Sequence, residues 1–285
     1  MKVGLVIEGG GMKGIFSSGV LDYFMEENLS FDYCIGVSAG SANAVSFVAG
    51  QRKRCYRFFH DYGDEKEFLS LFSYIKTGQY FGLDYIYDNI SSTKGKDPFD
   101  YKAFQASPCQ CELVATSCLD GTARYFQKDA LKENSFEVLK ASCSVPCVCH
   151  PIMIDGIPYL DGGVADPIPV QRALDIGCDV VVTVLLNRFP KKPKPVKNNF
   201  FYEATIGCYP KLLNKVLKSE ELHCLQGDLV LAYEKLGKTI VLMPDDDTGI
   251  TSTTKDKQLL DRYYWQGYYK AQVMMPQIKK MMGLQ

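Results

Sequence analysis

Residues 3–14 read VGLVIEGGGMKG, and the way this stretch folds decides the architecture around it. Val3 to Ile7 is a short unbroken apolar run that stops at Glu8 and a run of glycines, the pattern of a strand buried on both faces of a parallel sheet. Between Met12 and Glu27, apolar residues at Ile15, Val20, Leu21, Phe24 and Met25 recur at helical spacing, so strand, glycine turn and helix follow one another. Gly9, Gly11 and Gly14 spell G-x-G-x-x-G, a turn that can hold the pyrophosphate of a dinucleotide. The same turn, Gly9-Gly10-Gly11-Met12-Lys13-Gly14, can instead aim backbone N–H groups at the oxyanion of an ester under attack. The two uses require different companions.

The next elements supply them. Phe31 to Gly36 (FDYCIG) reads as a second strand, and Ser38 opens a helix of small residues, which completes a βαβα start with helices on the faces of a parallel sheet. At that junction Gly36-Val-Ser38-Ala-Gly40 is G-x-S-x-G, where two glycines allow a sharp turn that pushes the serine oxygen out at the carboxyl end of the sheet. Both loops leave the same edge and can face one substrate. A dinucleotide would need an acid at the end of the second strand; Asp32 stands at its beginning. Further on, Asp161-Gly162-Gly163 puts a carboxylate on a tight turn after a strand-like arm.

Residues 51–107 are helical in pattern and crowded with aromatics, and Tyr56 to Tyr87, following the elbow helix, is the expected wall of an acyl pocket. Strand character returns at Cys111–Ser117 and Tyr125–Phe126, and Ile152–Leu160 carries Asp155-Gly156 as a hairpin turn. A helix over 168–174 and a β-branched strand over 180–186 follow. Residues 188–199 (RFPKKPKPVKNN) are expected to form a linker or exposed loop. Helices near 211–218, 220–236 and 255–282, with a strand over 239–243, make the last third a mostly helical addition to the core. The expected division is therefore 1–187, 188–199 and 200–285.

With 285 residues, 46% hydrophobic and 23% charged, the composition is that of a globular chain. A net charge of −1 argues against nucleic acid as the main partner. The N-terminus lacks the pattern of a signal peptide and no run is long enough to span a bilayer, and eleven cysteines without a framework read as reduced thiols, so a cytoplasmic location is expected.

Taken together, Gly9 to Gly14, Gly36 to Gly40 and Asp161-Gly162 resemble, in that order, the oxyanion loop, nucleophile elbow and dyad aspartate of the patatin-like phospholipases, closest to their bacterial branch. The stretch Ala141-Ser-Cys-Ser-Val-Pro146 is similar to another family segment. The resemblance implies a three-layer α/β/α sandwich with a mainly parallel sheet, and a hydrolase in which Ser38 attacks, Asp161 takes its proton and no histidine takes part. Gly162 and Gly163 would support the turn that carries the aspartate. No metal or cofactor is expected. The substrate would be a lipid or other acyl ester, with contact at a membrane periphery. The alternatives are a dinucleotide-binding oxidoreductase and a lipid-binding protein that has lost turnover. His223, which alone among the histidines follows Asp161, lies in a patterned helix and is expected to be a surface or packing residue. Cys143, Cys147, Cys149 and His150 lack the second ligand pair of a zinc site.

Overall fold

In the computed structural model, which describes residues 1–194 and 199–284, β1 (Val3–Ile7) passes through a tight turn at Gly11–Gly14 into α1 (Ile15–Glu26), and β2 (Tyr33–Val37) turns at Ser38 into α2 (Ala39–Val48). The aromatic stretch holds α3 (Arg54–Tyr56), α4 (Leu71–Thr77) and α5 (Tyr101–Ala106), with π-helical turns at Arg57–Asp61 and Tyr85–Ile90. Next come β3 (Gln110–Ser117), β4 (Ala123–Gln127), α6 (Glu137–Cys143), the hairpin of β5 (Ile152–Ile154) and β6 (Ile157–Asp161), then α7 (Val170–Asp175) and β7 (Val180–Val184). The C-terminal region runs α8 (Asn199–Ile206), α9 (Pro210–Leu217), α10 (Ser219–Lys235), β8 (Thr239–Leu242) and α11 (Lys257–Met281).

The strands form one eight-stranded sheet whose centre is parallel, in the order β3, β2, β1, β7, β8. Because side chains alternate across a strand, each strand feeds two cores. Leu5, Ile7, Leu113 and Val184 point to the face covered by α1, α2, α11 and the aromatic stretch. Val6, Ile35, Val37 and Val181 point to the face covered by α7 and α10. This is the expected α/β/α sandwich. The second strand starts at Tyr33 rather than Phe31, because the Asp32 carboxylate accepts the Val3 N–H at 2.7 Å across the strand starts.

The C-terminal region does more than add helices. Its strand β8 extends the sheet beside β7, and α11 lies along α1 with Tyr263 and Tyr264 buried. The Tyr264 hydroxyl donates to Asp22 of α1 at 2.9 Å. Tyr263 and Tyr264 are therefore part of the core cover, while Trp265 beside them is exposed. Of the lysine- and proline-rich stretch, 188–194 is irregular, and 195–198 lies outside the described residues.

Candidate active site

The register of β3 brings the site together. On one edge β3 pairs in parallel with β2 as far as Val37 opposite Val114. The very next residue, Ala115, pairs antiparallel with Asp161 of β6, while its other edge is taken by Arg124 of β4. Strands β2 and β6 therefore occupy the same edge of β3 and meet head to head, so that Ser38, which follows Val37, arrives beside Asp161. Residues more than a hundred positions apart are joined by two adjacent residues of one strand.

Ser38 sits at φ 54°, ψ −126°, a conformation that costs a residue with a Cβ about 1–3 kcal/mol and must be held by its surroundings. Gly36 and Gly40 permit it: a Cβ at Gly36 would stand 2.3 Å from the Gly40 carbonyl oxygen, and one at Gly40 2.3 Å from that of Ile7. Underneath, the Ser38 N–H donates to the Ser142 hydroxyl at 3.0 Å, Ser142 donates to the Val114 carbonyl at 2.6 Å, and Ser41 donates to the Gly36 carbonyl at 2.7 Å. Ser142 and Ser41 are supports that motif reading does not single out, although Ser142 lies within the small-residue segment noted in the sequence.

Asp161 is buried, and burial pushes its carboxyl up to about 6, against the opposing pull of hydrogen bonds from the Ser38 hydroxyl and the Gly163 N–H. The Gly163 bond is 2.8 Å long. The backbone is pinned as well: Asp161 N–H donates to the Ser144 carbonyl and the Thr116 hydroxyl to the Asp161 carbonyl, both at 2.8 Å. Gly162 lies against the Val114 backbone, so Gly162 and Gly163 hold the turn from both sides.

The glycine run divides by role. The Met12 N–H donates to the Ser252 carbonyl at 3.0 Å and the Lys13 N–H turns back to Gly10 at 3.3 Å. The Gly9, Gly10 and Gly11 N–H groups have no protein acceptor among the described residues, and these glycines line the same cavity as Ser38 and Asp161. Gly14 packs against Ala39 and Phe59, where the Asn43 amide donates to its carbonyl at 3.0 Å. The Lys13 ammonium leaves the cavity and donates to Asn187 at 2.8 Å.

Beneath this loop lies a group that sequence reading passed over. Glu8 is fully buried and accepts from the Leu186 N–H, from the Asn187 amide at 2.7 Å and from His223 Nε2 at 2.6 Å. His223 is thus a packing residue rather than a surface one, and no partner of Ser38: it ties α10 to the base of the glycine loop, packs edge-on against Phe189, and lines one side of the cavity. No sequence signal links Glu8 to His223, since the contact spans 215 positions.

The cavity is about 720 Å³ and its walls are mainly apolar, with Phe58, Phe59, Phe68, Phe81, Ile86 and Tyr87 supplied by the aromatic stretch. That volume lies within the range of small-molecule sites. Among the described residues, no group of three or more His, Cys, Asp or Glu side chains is placed to hold a metal, and all eleven cysteines are unpaired. Asp32, bonded to Val3 at the opposite edge of the sheet, offers no carboxylate to a ribose at the glycine turn.

With this geometry in place, comparison with known proteins becomes informative: the model of the patatin-like phospholipase family matches residues 5–174. The chain belongs to that family. Relatives include an uncharacterized Escherichia coli protein, YjjU, 31% identical over a 195-residue alignment that covers 64% of this chain and 51% of that one. Another is a lysophospholipase, NTE1, of the fungus Coccidioides immitis, 29% identical over 64% of this chain but only 11% of its own length. The chain thus spans about half of the first relative and about a tenth of the second. The crystal structure of VipD from Legionella pneumophila has the same fold, with a TM-score of 0.54 at 14% identity over 97% of this chain and 67% of that one. Among the described residues, no helix of this patatin-like protein is long and apolar enough to cross a membrane.

Proposed function

We propose that this patatin-like protein is a lipid acyl hydrolase that cleaves carboxylic esters through an acyl-enzyme on Ser38. The observation that carries the reading is the meeting of Ser38 and a buried Asp161 on one edge of β3, beside backbone donors with no acceptor of their own. Asp161 takes the Ser38 proton as the oxygen attacks the ester carbonyl, and the Gly9 to Gly11 N–H groups stabilise the oxyanion that forms. The protonated Asp161 then gives its proton to the departing alcohol. A water molecule, activated in turn by Asp161, attacks the acyl group and frees Ser38. A carboxyl near 6 suits both roles, being mostly ionised at neutral pH yet basic enough to accept a proton.

Lipid as the substrate is supported by the apolar cavity and by the surface beside it. Leu71 and Ile75 of α4 and Phe200 of α8 are 69%, 85% and 81% exposed. Both helices flank the Val145–Val148 segment that lines the cavity: Tyr80, just after α4, donates its N–H to the Val148 carbonyl at 2.8 Å, and Thr205 of α8 meets the Cys147 thiol. This face would rest on a lipid surface while an acyl chain enters.

The test compares wild type with Ser38→Ala and Asp161→Asn on long-chain nitrophenyl esters and on lysophospholipid. Both variants are expected to stay folded by circular dichroism and to lose nearly all turnover. A Ser38→Ala protein that hydrolyses either substrate at the wild-type rate overturns the reading.

A further inference from the structure

The cavity that begins at Ser38 does not end in hydrocarbon. Helix α2 runs along it, with Ala39 and Ala42 on the lining, and one face further down carries Ser46, whose hydroxyl accepts from Arg54 Nη1 at 3.2 Å. At the helical rise, Ser46 lies about 12 Å from Ser38, the reach of an acyl chain of about eight to ten carbons. Arg54 itself lines the cavity and is only 4% exposed, stacked on Phe58 with its guanidinium 4.4 Å from the ring centre.

Its charge is only partly matched. Arg54 Nη2 donates to the Ser91 hydroxyl at 2.7 Å and to the Asp97 carbonyl at 3.4 Å, while Nε has no acceptor. The Asp97 carboxylate is already held by both ends of Arg57, at 2.6 and 3.0 Å, and comes no nearer than 3.8 Å to Arg54 Nε. Two guanidinium groups therefore share one carboxylate, and the surplus positive charge belongs to the buried one. The neighbouring Cys55 thiol and Tyr87 hydroxyl are kept neutral by burial.

We propose that Arg54 reads the far end of the acyl chain, so that the preferred substrates are esters whose acyl group ends in a carboxylate, half-esters of medium-length dicarboxylic acids. The inference rests on the acyl-hydrolase reading above. Folding has already removed the guanidinium from water, so an incoming carboxylate gains charge-assisted hydrogen bonds without a second desolvation of the protein. A methyl end would leave the surplus charge at that end of the cavity without a carboxylate of its own. The same contact holds the chain in register with its carbonyl at Ser38.

The experiment measures kcat/KM of the wild-type protein on nitrophenyl esters in three series, methyl-terminated, ω-hydroxy and ω-carboxylate, from about four to twelve acyl carbons. The ω-carboxylate series is expected to exceed the methyl series by at least about tenfold at about eight to ten carbons. At four carbons it should lose, because the charge is then stranded in the apolar part of the cavity short of Arg54. Arg54→Met should remove the carboxylate preference and Arg54→Lys retain part of it; should either variant fail to fold, the wild-type length profile decides alone. Methyl-terminated or ω-hydroxy esters preferred at every length would overturn the proposal while leaving the acyl hydrolase in place. Absence of hydrolysis in all three series would remove the hydrolase reading, and this inference with it.

Discussion

Asp161 is held in a place where ionisation is unfavourable, and that has two consequences of opposite sign. Its carboxyl, raised from 3.8 to about 6 by burial, must be ionised to accept a proton, so kcat/KM on a soluble ester should rise through pH 6 and level off above 7. A flat profile between pH 5 and 8 would separate Asp161 from the rate. For stability the raised value works the other way. A carboxyl that protonates more readily when folded favours the native state below its unfolded value, and that contribution is lost as pH rises through about 6. Asp161→Asn, expected to be inactive, should therefore be more stable than wild type at pH 8, by up to about 3 kcal/mol, with the difference shrinking toward pH 4; urea titrations at the two pH values measure it. At Gly10 the backbone is extended and the one tight contact of an added Cβ is the tip of Leu186 at 2.9 Å, so a side chain there should disturb the proposed oxyanion donors more than the fold. Gly10→Val is expected to keep its unfolding midpoint and lose about a hundredfold or more in kcat. The turns that carry these residues were legible in the sequence because each depends on a short local pattern; that Asp161 arrives beside Ser38 depends on the register of β3. Ser142 was less so, since its hydroxyl matters only once α6 has packed beneath the elbow.

At the scale of elements, the loops at the carboxyl edge are held by contacts that join distant segments. Glu8 follows β1, Leu186 and Asn187 follow β7, and His223 belongs to α10, yet all converge on one buried carboxylate. Removing the imidazole leaves Glu8 with two donors rather than three and opens space beside the cavity. His223→Ala should cost about 1–3 kcal/mol of stability and reduce kcat severalfold, whereas loss of Ser38 is expected to abolish it. His223→Gln, which can still donate to Glu8, should recover much of the stability; chemical denaturation and ester hydrolysis on the same samples separate the two effects. A His223→Ala protein as inactive as Ser38→Ala but equally well folded would instead make the histidine part of the catalytic machinery. The first strands and helices were readable because their apolar runs and glycine turns are local signals. The convergence on Glu8 was not, because it depends on the lateral order of β1 and β7, which no spacing in the chain encodes.

Across the whole molecule, the apolar cavity reaches from Ser38 to Arg54, and the exposed apolar faces of α4 and α8 flank the 145–148 segment on its wall. If α4 meets a lipid surface, charge on its exposed face should impair work on aggregated substrate alone. Leu71→Asp combined with Ile75→Asp is expected to lower hydrolysis of phospholipid vesicles by about tenfold and leave a monomeric soluble ester unaffected; equal losses on both substrates would place the helix in the site itself. The sandwich was legible from the βαβα opening. The role of the C-terminal region was only half legible, because the pattern over 239–243 marks a strand without telling that it extends the main sheet as β8. What unites these scales is a claim about one oxygen atom, that of Ser38. It is tested most directly by mixing the protein with a long-chain nitrophenyl ester, quenching in acid within the first turnovers, and mapping the acyl group by peptide mass spectrometry. The account predicts an acyl adduct on the peptide containing Ser38, absent from Ser38→Ala; an adduct on a cysteine or another serine, with turnover intact in Ser38→Ala, would contradict it.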